Sequence, residues 1–132
     1  MRTITKEITL TLDGNPVRFR LKKLDAFSGA FLLRHLMRLQ EKNARMTVLD
    51  LYMSLSQDEL RAVMTSCLNN VEVILPAGPN PVMTGPEWGY PELEHDPQTC
   101  TKLVLESMTW SLQGFFTDGG QTLPPETPDT SP

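Results

Sequence analysis

The chain has 132 residues, of which 39% are hydrophobic, with a net charge of −4 and an isoelectric point near 5.1. This length predicts one domain whose core needs no metal or disulfide, and the acidic balance argues against a general nucleic-acid or membrane binder. The charge is divided along the chain. Residues 1–45 carry ten Lys/Arg against four Asp/Glu, a net of +6, and residues 46–132 carry two against twelve, a net of −10. This division favours a binding or assembly protein that docks against a partner or another copy of itself.

No basic segment leads into an apolar one at the N-terminus, and no apolar run approaches the length of a membrane span. We therefore expect the protein to stay inside the cell. Cys67 and Cys100 each fall within a helical pattern. The pattern favours two reduced, buried thiols, with a single disulfide as the alternative.

The first predicted element is a β-hairpin. From Thr3 to Leu12 apolar and polar residues alternate, and after the turn signal Asp13-Gly14-Asn15-Pro16 the alternation resumes from Val17 to Lys22. The hairpin would have one apolar face and one threonine and arginine face. Because a lone hairpin is marginal in water, we expect helices to cover its apolar face.

Four helices are predicted after the hairpin. Asp25 is placed to cap the first, over 26–42, whose wide apolar band indicates contact on two sides, with the rest of the fold or with a partner. A short second helix follows over 47–55. Ser56 begins a capping box, and the apolar spacing from Leu60 through Val71 predicts a third helix. Asp96-Pro97 begins the last one.

The segment between Leu75 and Pro97 is rich in proline and glycine, which predicts an ordered loop without regular structure, held by its aromatic residues. The predicted fold is therefore mainly α (α+β): a hairpin packed on a bundle of about four helices. Residues 1–117 would form a single domain, and residues 118–132 a flexible tail that is too poor in apolar residues to fold alone.

No catalytic constellation is evident. His35 lies among arginines and His95 beside acidic residues, and neither has triad partners. The run Glu92, Glu94, His95 and Asp96 could hold a divalent cation, but an acidic entry to a helix explains it better. The cysteines and His95 lack zinc-ligand spacing. We expect no enzymatic activity, no metal and no cofactor.

The basic strand of the hairpin has three interpretations. Arg18, Arg20 and Lys22 could grip phosphates, or could block unwanted pairing of an edge strand, which we favour. The same residues could take part in self-association, as the basic front of one copy meets the acidic back of another. Pairing of the hairpin with the last helix within one chain is an equally weighted alternative.

The order of these elements resembles a known family. An extended hairpin is followed by the helix entry Leu-Asp-Ala-Phe-Ser from Leu24, and then by a capped Ser-Gln-Asp-Glu-Leu helix that ends in Cys67-Leu68 before Val71-Glu72-Val73. A Gly/Pro loop and a last helix ending in Gly-Phe-Phe complete the pattern. Over roughly residues 3–117 it is similar to the tail assembly chaperones of long-tailed, siphovirus-type bacteriophages and prophages.

The resemblance implies a small, mainly helical protein that coats the tape measure protein in the host cytoplasm and keeps it soluble. The chaperone leaves as the major tail protein polymerises, and it is absent from the mature virion. Such proteins often have a longer product made by ribosomal frameshifting, and this chain would be the short form. One alternative is a small nucleic-acid-binding regulator that uses the basic hairpin and first helix, and another is a metal-dependent enzyme at His95.

The aromatic residues outside the predicted core are the candidates for binding the tape measure protein. Trp88, Tyr90 and Leu93 lie in the Gly/Pro loop, and Phe115 and Phe116 end the last helix. Aromatic side chains anchor many interfaces because each buries a large, rigid surface. The competing interpretation, slightly favoured, is that Trp88 and Tyr90 only attach the loop to the core.

Overall fold

The computed structural model describes residues 4–117, with side chains through residue 113. The described part is 51% helix and 26% strand. Helix therefore exceeds strand, and the predicted α+β fold with an N-terminal hairpin and four helices is confirmed. The predicted tail over 118–132 lies outside the described residues.

The hairpin forms as predicted. Strands β1 (Thr5–Leu12) and β2 (Asn15–Lys22) pair antiparallel with Ile8 opposite Phe19. The turn consists of Asp13 and Gly14, which both have positive φ, at 51° and 82°. Positive φ at both central residues is the type I′ geometry that Asp-Gly favours, and it matches the twist of the two strands.

The sheet is larger than predicted. Strands β3 (Val71–Leu75) and β4 (Gly78–Pro81) extend it to four antiparallel strands in the order β1-β2-β3-β4. Two corrections follow. Val71 begins a strand and does not continue the preceding helix. The Gly/Pro segment holds β4, a two-stranded ribbon of β5 (Met83–Thr84) and β6 (Glu87–Trp88), and a short 3-10 turn at Pro91–Leu93.

The four helices begin and end close to their predicted limits. They are α1 (Ala26–Lys42), α2 (Val48–Ser54), α3 (Gln57–Leu68) and α4 (Pro97–Thr117). Asp25 caps α1 by accepting from the N–H groups of Phe27 and Ser28 at 3.0 and 3.1 Å. The Ser56 capping box of α3 is complete. No helix within residues 4–117 has the length and hydropathy needed to span a bilayer.

The core lies between the sheet and the helices, as the hairpin's need for a cover predicted. Phe19 and Leu21 of β2 are fully buried with apolar residues of all four helices, among them Leu36, Leu51, Val63 and Leu103. The hairpin end also contacts α4 directly, because the Leu24 N–H donates to Ser111 Oγ at 3.0 Å. Lys6 and Lys23 lie over the Trp110 ring of α4, with Nζ 5.6 and 4.7 Å from its centroid. Such cation–π contacts tie the basic hairpin to the last helix.

A candidate partner-binding groove beside Trp88

A groove of about 670 Å³ runs between α3, the β5–β6 ribbon and the beginning of α4. We call it the Trp88 groove. Its α3 wall presents the half-buried Leu60 and Met64, four residues apart on one side of the helix, and the almost fully buried Leu68 follows one turn further along. Its far wall is the half-buried Trp88. Two methionines among its lining residues, Met64 and Met83, have flexible side chains that adapt to different apolar surfaces.

Polar and charged side chains stand at the rim of this groove. Arg61 lies on α3, and Glu94 and His95 lie just before α4. All three are exposed, and none of them forms a salt bridge within the described residues. A groove with an apolar wall and unpaired charges at its edge is typical of a site that accepts an amphipathic segment.

Two asparagine side chains fix the ribbon that carries Trp88. Asn69, the C-cap of α3, donates through Nδ2 to the Gly85 carbonyl at 3.1 Å and accepts from the Gly85 N–H at 2.6 Å. Asn80 donates to the Gly89 carbonyl at 2.7 Å. Gly89 also passes so close to the Pro81 carbonyl that a Cβ there would collide with it. The wall formed by Trp88 is therefore held in place before any partner binds.

The predicted binding residues of the Gly/Pro loop are placed differently from one another. Trp88 lines the groove and packs partly on the core. Tyr90 is half-buried and makes an edge-on contact with Phe19, with ring centroids 6.5 Å apart. Leu93 is fully buried, so it belongs to the core and offers no surface to a partner. Phe115 and Phe116 lie on the α4 backbone, and their side chains are outside the described residues.

The basic residues predicted for self-association are partly engaged within the chain. Arg18 and Arg20 donate to the Glu7 carboxylate at 3.3 and 3.4 Å, and Arg20 also reaches Glu72 at 3.3 Å. These pairs cross the outer face of the sheet. The predicted role of these residues in protecting an edge strand is wrong, because β2 lies between β1 and β3. Lys22 is exposed. Two of the three predicted cations therefore already have acidic partners within the sheet.

A second apolar surface was not predicted as a site. Phe27 on α1 is 89% exposed and Phe31 is 41% exposed. Both line a smaller groove of about 290 Å³ between α1 and α3, together with Ala62 and Val63. The ring of Phe31 packs on His35, which lies 3.6 Å from the Glu59 carboxylate on α3. The wide apolar band of α1 was the available signal, since one helix side cannot bury so many residues.

Metal-binding side chains and cysteine thiols are the remaining groups that the sequence offered for chemistry. No three His, Cys, Asp or Glu side chains come together as a metal site within the described residues. Cys67 and Cys100 are both free and buried. Burial raises the pKa of the Cys67 thiol to about 12 and that of Cys100 to about 11. Since the thiolate is the nucleophile, neither cysteine is activated at neutral pH.

Hydrogen bonds hold the Asp96 carboxylate at the beginning of α4. It accepts from the Thr99 N–H at 3.0 Å and from Thr99 Oγ1 at 2.8 Å, and these bonds lower the pKa of Asp96. The acidic segment before α4 thus ends in a helix cap, as its sequence indicated.

Comparison with protein-family models, with curated proteins and with solved structures found no significant match to this chain.

Proposed function

We propose that this protein is a phage tail assembly chaperone that binds the tape measure protein and keeps it soluble while tail-tube subunits are recruited. The observation that carries the proposal is the Trp88 groove, a preformed groove with an apolar wall and charged side chains at its rim. In this role the protein is not an enzyme and needs no cofactor. It acts in the host cytoplasm and leaves before the virion matures.

The dimensions and chemistry of the groove suit a helical client. A tape measure protein is a long, largely helical chain whose apolar side chains recur at helical spacing. Leu60 and Met64 are half-buried and have that same spacing, so a client helix could lie along α3 with its apolar side between these two residues and Trp88. The methionines would let one groove accept many different client segments, which a protein that coats a long polypeptide requires.

The proposal is tested by a substitution that blocks the groove and leaves the buried side chains of the core unchanged. Thr65 lines the groove from α3 and is half-buried. A Thr65→Arg side chain should fill part of the channel, so the tape measure protein encoded by the same genome should precipitate when it is co-expressed with this variant. With the wild-type chain it should stay in the soluble fraction and co-purify.

A matched control lies three residues away. Ala62 lines the smaller groove between α1 and α3 and does not line the Trp88 groove, so Ala62→Arg adds the same side chain to the same helix outside the Trp88 groove. This variant should keep the client soluble. If Thr65→Arg folds normally by circular dichroism and still keeps the tape measure protein in solution, the Trp88 groove is not the client site.

A further inference from the structure

Five exposed residues form a stripe along α1, which we call the α1 ridge. They follow the spacing i, i+3, i+4, i+7 and i+11, and they are Phe27, Ala30, Phe31, Arg34 and Arg38. This spacing places them on one side of the helix over about 16 Å. The N-terminal half of the ridge is aromatic and the C-terminal half is cationic. Neither arginine forms a salt bridge within the described residues.

The exposure of Phe27 needs an explanation. A phenylalanine that is 89% exposed contributes little to the core of its own chain, and together with Phe31 it forms an apolar projection. Single exposed apolar residues are common, but adjacent aromatic residues flanked by unpaired cations are typical of a binding surface.

The α1 ridge cannot enter the Trp88 groove of its own chain. The two ridge phenylalanines approach α3 at Ala62 and Val63, whereas the groove is bounded by the Met64 and Leu68 side of that helix. At about 100° per residue, these sets lie on opposite flanks of α3. A contact between ridge and groove must therefore join two molecules.

The two surfaces have complementary charge. The ridge carries Arg34 and Arg38. The groove has Glu94 at its rim, with Glu87 and Glu92 exposed on the adjacent ribbon and 3-10 turn. Arg61 and His95 are the basic groups at that rim. The same polarity holds for the whole sequence, whose first 45 residues are net +6 and the remainder net −10.

We infer that the α1 ridge of one copy docks into the Trp88 groove of a second copy of this chain. Phe27 and Phe31 enter between Trp88 and Met64, while the ridge arginines approach Glu94. The volume of the groove lies in the range of pockets that enclose small molecules. Because the two surfaces differ, each copy keeps one free ridge and one free groove, and association continues into a ring or an open chain.

This contact between copies would also regulate binding of the client to the groove. A neighbouring ridge occupies the channel in which the tape measure protein is proposed to bind, so client and self-association would compete. That consequence rests on the proposed function, whereas the contact between copies does not.

The test measures mass and needs no client. Sedimentation of the full chain over a range of concentrations should show wild-type species that grow beyond a dimer. Phe27→Glu should weaken association at least about tenfold, as loss of an anchor residue does, and it should leave the circular dichroism spectrum unchanged. Met53→Glu is the control, since Met53 is an apolar residue of α2 that is 73% exposed and lies outside the ridge.

Mixing separates this contact from other modes of association. Thr65→Arg alone should associate as weakly as Phe27→Glu, but it keeps an intact ridge, while Phe27→Glu keeps an intact groove. Their mixture should give a species of two chains that does not grow further. If Thr65→Arg fails to fold, Glu94→Arg is the groove variant and should weaken association in the same way.

A wild-type chain that stays monomeric at every concentration would overturn the inference. So would a Phe27→Glu chain that associates like the wild type, or a folded groove variant that does. Loss of association in Met53→Glu with retention in Phe27→Glu would assign the contact to α2 instead.

Discussion

Two phenylalanines that are eight residues apart in the sequence differ sharply in how much of the side chain is exposed. Phe19 on β2 is 0% exposed, and Phe27 in the first turn of α1 is 89% exposed. The inner face of the hairpin is covered by helices, and the edge-on contact of Tyr90 with Phe19 adds to that cover. The outer side of α1 has no such cover within the described residues. The inner face of the hairpin is thus covered within one chain, whereas the α1 ridge is an exposed surface that a second molecule can cover.

The largest expected effect is a difference in stability between these two positions. Phe19→Ala removes a buried ring and leaves a cavity, so the free energy of unfolding should fall by about 3 to 5 kcal/mol. Phe27→Ala should change it by no more than about 0.5 kcal/mol, since the ring is in solvent. Urea unfolding of dilute protein measures both. Equal losses would mean that the α1 ridge is packed within the monomer.

The second prediction concerns Leu93, which the sequence placed in a binding surface and the structure places in the core. Leu93→Ala should lower the free energy of unfolding by about 2 to 5 kcal/mol. The control is Met53→Ala on α2, an apolar truncation at an exposed site, for which we expect about 0.5 kcal/mol or less. If Leu93→Ala is as stable as this control, the 3-10 turn does not pack as described.

The third prediction concerns Asp96, which ends the acidic segment before α4 and caps that helix. Asp96→Ala removes the cap of α4 and should cost about 1 kcal/mol. Because the folded-state pKa of Asp96 is lowered from 3.8, its contribution is present above that pH and is lost as the pH falls through the lower folded value. Denaturation of wild type and variant on both sides of pH 3.8 should therefore show their difference shrinking in acid. A difference that grows in acid would contradict the cap.

The smallest expected effect is at the outer face of the sheet. Glu7→Gln removes the charge shared by Arg18 and Arg20 and should cost about 0 to 1 kcal/mol, because these pairs are largely solvated. The cost should shrink further as salt is added. A loss of several kcal/mol, measured by thermal unfolding at low salt, would show that the arginines are a structural requirement of the hairpin.

Local signals were sufficient for much of the fold. The Asp-Gly turn, the Asp25 and Asp96 caps and the Ser56 capping box each involve residues at most four apart, so their hydrogen bonds could be predicted from adjacent positions. The alternation in the hairpin predicted which side faces the core, because a strand has only two sides. Even the width of the apolar band on α1 indicated that this helix contacts more than one surface.

The Gly/Pro segment could not be predicted in the same way. Proline and glycine are disfavoured in central strands, yet β4 is an edge strand, where proline is tolerated. The ribbon depends on Asn69 and Asn80, whose amides contact Gly85 and Gly89 at separations of 16 and 9 residues. Nothing in the local pattern of either asparagine indicates those contacts.

By itself, the sequence determined the hairpin and the four helices, their caps, the buried side of the hairpin and the division of charge, since these depend on neighbouring residues and on composition. Only the tertiary structure decided that Leu93 is core, that Trp88 is a groove wall, that Phe27 is exposed and that Arg18 and Arg20 meet Glu7. The physical reason is that burial and ion pairing depend on which distant element lies opposite a side chain. The periodicity of apolar residues shows which side of a helix or strand must be buried. It does not show which other element of the fold, or which partner, covers that side.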